Sequence, residues 1–364
     1  PFLLINPYYS SELVITITQP LLKGFGREVQ ESRVRSAEAD LAADRLRAEH
    51  HAMDLISETA GAYWDLYFAR GNLEAADISL RLAQSTLEEV EAKIKAGTLA
   101  PVEIYKAEAE AAVREERYLS ARKGVFDAED TLRAIMNTTA WHGEVVPVEK
   151  PPEPVEPPAL DGVLADALEN RRDLMQARSE LRGRELMEKY YRDQTRPELN
   201  LVGSAGTGGL DRESGEALEG AASGDFYSWE IGVALEIPVG NRAQRGRYLR
   251  AKYETGLSEL RIRELRQEIT VEVREALRAL ELARESVRAS GRSKRASEKR
   301  LEAEEERFRL GMATLNDVLR FQEEYADAIS SEKRAIADYA SNSVRLRRAS
   351  GTLISPTLMR PLAP

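Results

Sequence analysis

Three observations predict a mainly α-helical chain with a small β part, laid out as a duplicated strand–long helix–helix repeat. The stretch from Glu12 to Gly97 recurs: Glu12, Leu13, Ile15, Ile17 and Pro20 align with Glu230, Ile231, Val233, Leu235 and Pro238, an offset of 218 residues. Each copy runs on into a long helical pattern that stops at a glycine, in Lys95-Ala96-Gly97 and in Arg309-Leu310-Gly311. Charged residues make up 31% of the 364 and aromatics 6%, a mixture typical of long helices and coiled coils.

The first repeat covers 1–137. Its strand, 8–19, alternates with period two. Leu13, Ile15 and Ile17 fall on one face, and Glu12, Val14, Thr16 and Thr18 on the other. Pro20, Gly24 and Gly26 end it. A helix of about residues 27–95 follows, with no proline and only Gly61 and Gly71 inside it. At about 1.5 Å per residue it would reach roughly 100 Å, so it must pack lengthwise against other helices. After Gly97, Pro101 suits the first position of a return helix of about 101–136, and Glu103 its third.

Residues 138–160 hold six prolines (Pro147, Pro151, Pro152, Pro154, Pro157, Pro158) and read as an extended connector between the repeats. The second repeat, 161–353, begins with a helix over 161–192 and a strand over 197–207. Residues 206–225, rich in Gly, Ser, Asp and Glu, read as an exposed loop. A strand over 226–238 starts with Tyr227 and Trp229, aromatics that suit a membrane interface. The second long helix, about 244–309, carries a narrow apolar seam at Leu257, Leu260, Leu265, Ile269, Val273, Leu277 and Leu280. A return helix of about 315–353 and a tail, 354–364, complete the chain.

Several function classes are disfavoured. A net charge of −10 argues against nucleic acid as a partner. Without cysteine there is no thiol nucleophile or cysteine metal site. His50, His51 and His142 lack metal-ligand spacing, since adjacent helical residues point about 100° apart. Gly203–Gly209 superficially resembles a phosphate loop but runs into a polar turn instead of an apolar helix. No nucleophile–base pairing or cofactor motif stands out, so an enzyme is not expected. No apolar run of roughly 18 residues is present, which leaves open short membrane strands of about 9–11 alternating residues.

Two features have a structural reading beside a functional one. Thr314-Leu315-Asn316-Asp317 fits a helix N-cap with an acid at the third position, and an acid in a first turn suits the helix dipole. Gly97 and Gly311 suit the left-handed residue that follows a helix. Tyr63, Trp64, Tyr67 and Phe68 read as packing between helices.

In this order, the segments Ala62–Tyr67, Gly97–Ile104 with Ala107-Glu108-Ala109, Arg196–Leu199, Trp229–Pro238 with Gly240-Asn241-Arg242, and Gly311–Leu319 with Gly351-Thr352-Leu353 resemble the TolC-type outer-membrane efflux family. The resemblance covers nearly the whole chain. It implies a homotrimer whose 12-stranded β-barrel in the outer membrane continues as an α-helical barrel in the periplasm. The implied function is a duct of a tripartite efflux or type I secretion system, without chemistry or cofactor. The implied partners are a periplasmic adaptor protein, an inner-membrane pump reached through it, and outer-membrane lipid. By the same resemblance the tips, Gly97, Thr98, Leu99, Gly311, Met312 and Ala313, would meet the adaptor. Glu103, Asp317 and Arg320 are gate candidates. Glu12, Glu230 and Glu236 would line the barrel lumen.

This chain departs from the family pattern in two ways. Four strands per protomer are expected and three are found, because the first repeat shows no counterpart to residues 161–207; an N-terminal helix and strand, with any lipidated cysteine, are therefore expected to be missing from it. At the tip, Arg320 stands where the resemblance implies an acid, and Ala313 where it implies a basic partner. The rival is a soluble or membrane-peripheral coiled-coil scaffold, which would purify without detergent.

Overall fold

The computed structural model describes residues 8–354. Expectations for the first seven residues and for the tail from 355 on lie outside them. In chain order the elements are β1 (Tyr9–Pro20), α1 (Arg27–Gln30), α2 (Ser32–Lys95), α3 (Glu103–Ile135), α4 (Leu160–Asn170), α5 (Arg172–Asp193), β2 (Glu198–Asp211), α6 (Ser214–Ser223), β3 (Tyr227–Glu236), α7 (Arg242–Arg309) and α8 (Leu315–Ala349). Helix dominates and the sheet is small.

The chain forms two compact units. One comprises the residues up to Arg45 together with Met175–Glu264; the other comprises Leu46–Leu174 and the residues from Leu265 on.

The first unit holds the sheet. Its strand order is β1-β2-β3, antiparallel throughout, with Ile15 opposite Ala205 and Ala205 opposite Trp229. Close to the sheet, the start of α2 packs against α5 at Gly183. There Ser36 Oγ donates to the Gly183 carbonyl (3.3 Å), and a Cβ on Gly183 would press on the Asp40 carboxylate. Asp193, at the end of α5, accepts from the Gly24 amide (2.6 Å) and so fixes the turn after β1. Asn241 takes a positive φ of 36°, which asparagine tolerates, and its amide holds the Thr195 carbonyl (2.9 Å) where β3 gives way to α7.

Three expectations are corrected here. Residues 206–225 are not a loop: β2 continues to Asp211, and α6 fills most of the remainder. The glycines that suggested a loop serve close approach instead. A Cβ on Gly206 would come within 2.9 Å of the Leu13 carbonyl, and one on Gly209 would overlap the Ala217 carbonyl of α6. The helix expected over 161–192 breaks at Arg171, whose backbone is extended (ψ 126°) between α4 and α5. Gly351 (φ +73°) packs against that break so closely that its Cβ would sit 2.8 Å from the Asn170 carbonyl carbon. Before the first long helix, α1 is separated from α2, and Ser32, fully buried, bonds back to Val29 (2.6 Å).

The second unit is a helical bundle. Ala62 and Leu66 of α2 meet Val125 and Leu132 of α3, while Trp64 packs on Ala337 and Ala340 of α8. The proline-rich connector is tied to this bundle. Glu149 donates its amide to the Tyr63 hydroxyl (2.9 Å), and Val155 donates to the Tyr339 hydroxyl (3.0 Å). Glu129, buried, accepts from Arg70 (2.9 Å), Arg133 (3.4 Å) and the Val145 amide (3.3 Å). A buried carboxylate with three donors is satisfied; removing it would leave Arg70 and Arg133 only their solvent-exposed carboxylate partners, Glu144 (2.7 Å) and Asp130 (3.2 Å).

Candidate functional site

The sheet has two chemically opposite faces. Directly paired residues of an antiparallel sheet share a face, so the register assigns each side. On one side stand Leu13, Ile15 and Ile17 of β1, then Leu201 and Ala205 of β2, then Tyr227, Trp229, Ile231, Val233 and Leu235 of β3. On the other stand Glu12, Thr16 and Thr18, then Ser204 and Asn200, then Ser228, Glu230 and Glu236. Beyond its Ser11–Gly209 end, the apolar side is open among the described residues: Ile15, Ile17, Trp229 and Ile231 are 66–71% exposed. A contiguous exposed apolar face marks an interaction surface, and period-two alternation with one lipid-facing side is the pattern of a membrane strand.

Glu12, Glu230 and Glu236 all fall on the polar side but are spread along it, opposite Gly208, Ser204 and Glu198 of β2. The register adds a fourth that the sequence did not single out: Glu198 lies opposite Glu236. It bonds to Lys23 (3.2 Å) and Asn200 (2.9 Å). Only the hairpin register reveals it, since Glu198 directly follows Pro197 in what reads as a strand entry.

The two helix reversals share one backbone design. Gly97 and Gly311 both take φ +73°. Thr98 and Met312 each donate an amide five residues back, to Lys93 (2.9 Å) and Arg307 (2.7 Å), which closes each helix with a Schellman motif. They differ in how the next helix starts. Thr314 caps α8 reciprocally: Asp317 N donates to Thr314 Oγ1 (3.3 Å), and the Asp317 carboxylate accepts from the Thr314 hydroxyl (2.6 Å) and amide (3.3 Å). These hydrogen bonds to Thr314, aided by nearby Arg320 and Arg307, hold the Asp317 carboxyl below the usual range. Val102 offers α3 no side-chain cap. Glu103 is therefore the first residue of α3 rather than its third, and it pairs with Lys106 (3.0 Å).

Arg320 approaches Asp317 (3.7 Å) and Glu324 (3.8 Å) and lies over the Phe321 ring at 4.7 Å. Lys93 joins the two long arms at their ends: it sits over the Phe308 ring (3.7 Å) and donates to the Phe308 carbonyl (2.8 Å). Leu99 and Ala313 pack partly buried against the Val90–Phe308–Val318 cluster. The exposed apolar groups at the tips are Val102, Tyr105, Leu310 and Met312, of which the sequence had singled out only Met312. Beside the second reversal an open hollow of about 540 Å³ is lined by Glu304, Arg307, Met312, Thr314 and Asp317.

The sequence profile of the outer membrane efflux protein family matches residues 6–138 and 163–352, most of the chain. The chain belongs to the outer membrane efflux protein family. It is an outer-membrane channel protein of efflux systems, not an enzyme, and the soluble-scaffold rival is set aside. Nodulation protein T of Rhizobium leguminosarum bv. trifolii is 23% identical over 342 residues, 90% of this chain and 69% of the relative. Among solved structures, the outer membrane protein VceC of Vibrio cholerae superposes with a TM-score of 0.72 at 16% identity, over 94% of this chain and 87% of that one. The CmeC outer membrane channel of Campylobacter jejuni gives 0.73 at 16%, over 95% and 78%. These two likenesses establish the fold.

Among the described residues of this efflux protein, no three His, Cys, Asp or Glu side chains come together as a metal site. No described helix is long and apolar enough to cross a membrane. A second buried charged cluster lies in the bundle. Arg171, 6% exposed, pairs with Asp173 (2.6 Å) and Glu272; Arg348 bridges Glu272 to Asp54 (2.7 Å). Burial works against the Arg171 charge, but Asp173 and Glu272 outweigh it and raise its pKa. Burial likewise works against the Asp173 carboxylate, but Arg171 and the Leu174 amide hold it below the usual range.

Proposed function

We propose that three copies of this chain close a 12-stranded β-barrel in the outer membrane, with the helical unit continuing the passage on the periplasmic side. The observation that carries the reading is the sheet turned inside out: apolar side exposed, polar side acidic. Among the described residues β2 is paired on both edges, while β1 and β3 each have one edge unpaired. In hydrocarbon every backbone group must be paired, so a few strands need partner chains to close. Four strands from each of three chains make the barrel, and β1–β3 are three of the four.

On this reading Glu12, Glu230 and Glu236 face the lumen in triplicate and give it a negative potential. The tips around Gly97, Thr98, Leu99, Gly311, Met312 and Ala313 meet a periplasmic adaptor protein, which couples the duct to an inner-membrane pump for efflux or type I secretion. The exposed Val102, Tyr105, Leu310 and Met312 give such a partner apolar anchors. Glu103, Asp317 and Arg320 lie at the mouth, where a shift of the reversals opens or shuts it.

The test is the mass of the detergent-solubilised protein combined with planar-bilayer conductance. A trimer with cation-selective conductance is expected, and Glu230→Gln with Glu236→Gln reduces the selectivity. A monodisperse monomer that stays in solution without detergent overturns the proposal.

A further inference from the structure

Helix α6 has no place in the duplicated plan, and its position is informative. The long helices join the sheet at the Pro20, Glu198 and Glu236 ends of the strands; α6 joins β2 to β3 at the opposite end. It lies against one face only. The Ser11 hydroxyl donates to the Ala217 carbonyl, and a Cβ on Gly209, the residue opposite Ser11, would overlap that same carbonyl. Ser11 and Gly209 alternate in phase with Leu13, Ile15, Thr207 and Ala205. By that parity α6 sits on the apolar side of the sheet, one step beyond the Leu13–Thr207–Tyr227 row.

The helix is built to lie flat. Ala217, Gly220 and Ala221 face the sheet, and their small size permits close approach to Gly209. Leu218, 65% exposed, and Ala222, one turn later, form an outer stripe. Glu216 and Glu219 form a separate acidic stripe. Immediately below come Tyr227 and Trp229, both more than 70% exposed, at the level where aromatic residues border hydrocarbon.

We infer that α6 is an interfacial helix: it rests on the outer-leaflet surface beside the barrel, with Leu218 and Ala222 against lipid and the acids toward water. The occupant of its outer stripe is the lipid surface, because α6 continues the apolar sheet face on the same side and begins where that face ends. The inference rests on the reading that the sheet's apolar side meets lipid. A basic face, which strengthens most interfacial helices, is absent. The strands therefore hold α6 at the surface through its two covalent connections, which keep its local concentration high.

The chain has no cysteine, so single cysteines can be labelled in the full protein. Leu218→Cys, Glu219→Cys, Ile231→Cys and Thr16→Cys, each carrying an environment-sensitive fluorophore, are reconstituted in phosphatidylcholine vesicles. A nitroxide near the lipid headgroup and aqueous iodide serve as quenchers. The expected result is lipid-borne quenching at 218 and 231 several-fold stronger than at 219 and 16, with iodide in the reverse order. If 231 is quenched by lipid while 218 responds to iodide alone, α6 stands clear of the membrane and the inference is overturned. If neither quencher reaches 218, a neighbouring subunit covers it, and the inference is overturned as well. If 231 itself escapes the lipid quencher, the lipid-facing reading of the sheet fails first and takes the inference with it.

Discussion

The sheet and the helical bundle obey opposite rules within one chain. In the bundle Leu66, Ile269 and Val273 are fully buried, and charges are either paired inside, as at Glu129, or face outward in pairs such as Arg117–Glu323 (2.7 Å). In the sheet the large apolar residues are the exposed ones, and charge collects on the other side. The difference teaches that burial alone does not define a core: on the proposed reading each surface matches the medium it meets, water around the bundle and lipid on the apolar side of the sheet.

The largest expected effect lies in the bundle. Glu129→Ala leaves Arg70 and Arg133 without their shared carboxylate and frees the Val145 amide of the connector. A loss of about 3–5 kcal/mol is expected, read from denaturant unfolding in detergent. In the sheet, neighbouring residues of β3 separate the two media. Ile231→Arg places a cation on the apolar side and is expected to cost about 2–4 kcal/mol if that side lies at mid-bilayer. Glu230→Arg, one residue earlier, changes the polar side and leaves the yield of membrane-inserted protein unchanged. Equal yields from the two variants would erase the contrast between the faces.

The two reversals provide a finer comparison. Thr314→Ala removes a reciprocal cap and is expected to cost about 1 kcal/mol, whereas Val102→Ala removes no cap bond. Hydrogen exchange at the first turns of α8 and α3 checks this: exchange at α8 rises toward that of α3. The smallest effect is one of pH. Asp173 titrates below its ordinary value in the folded chain, so its stabilisation is complete above about pH 4 and is lost as pH falls through the depressed value. Asp173→Asn is expected to flatten that acid limb of the unfolding midpoint without removing the contributions of other carboxylates.

The strands with regular alternation, β1 and β3, were legible because each side chain reports its own face, and Glu12 and Glu230 repeat the pattern. The long helices were legible because nothing in them breaks a period of 3.6 residues. The far half of β2 and α6 were not, because Gly206 and Gly209 are there for close contact, and in sequence such glycines look like turn residues. The break at Arg171 was hidden for another reason. The apolar pattern runs through it, and the break packs against the backbone of Gly351, 180 residues away. At the candidate site, Glu12, Glu230 and Glu236 were visible as a polar phase. Glu198, Lys93 on Phe308 and the exposed Tyr105 depend on which strands and helices become neighbours, which local sequence does not encode.

The outer margins of β1 and β3 carry a consequence for biogenesis. Among the described residues the sheet bears two rows of unpaired amide and carbonyl groups beside a greasy flank, which is a template for sticking to any extended polypeptide it meets. If three copies close the barrel as proposed, maturation is a contest between finding sister copies and clumping, and the yield of finished channels should depend on how quickly siblings arrive as much as on how well each one folds.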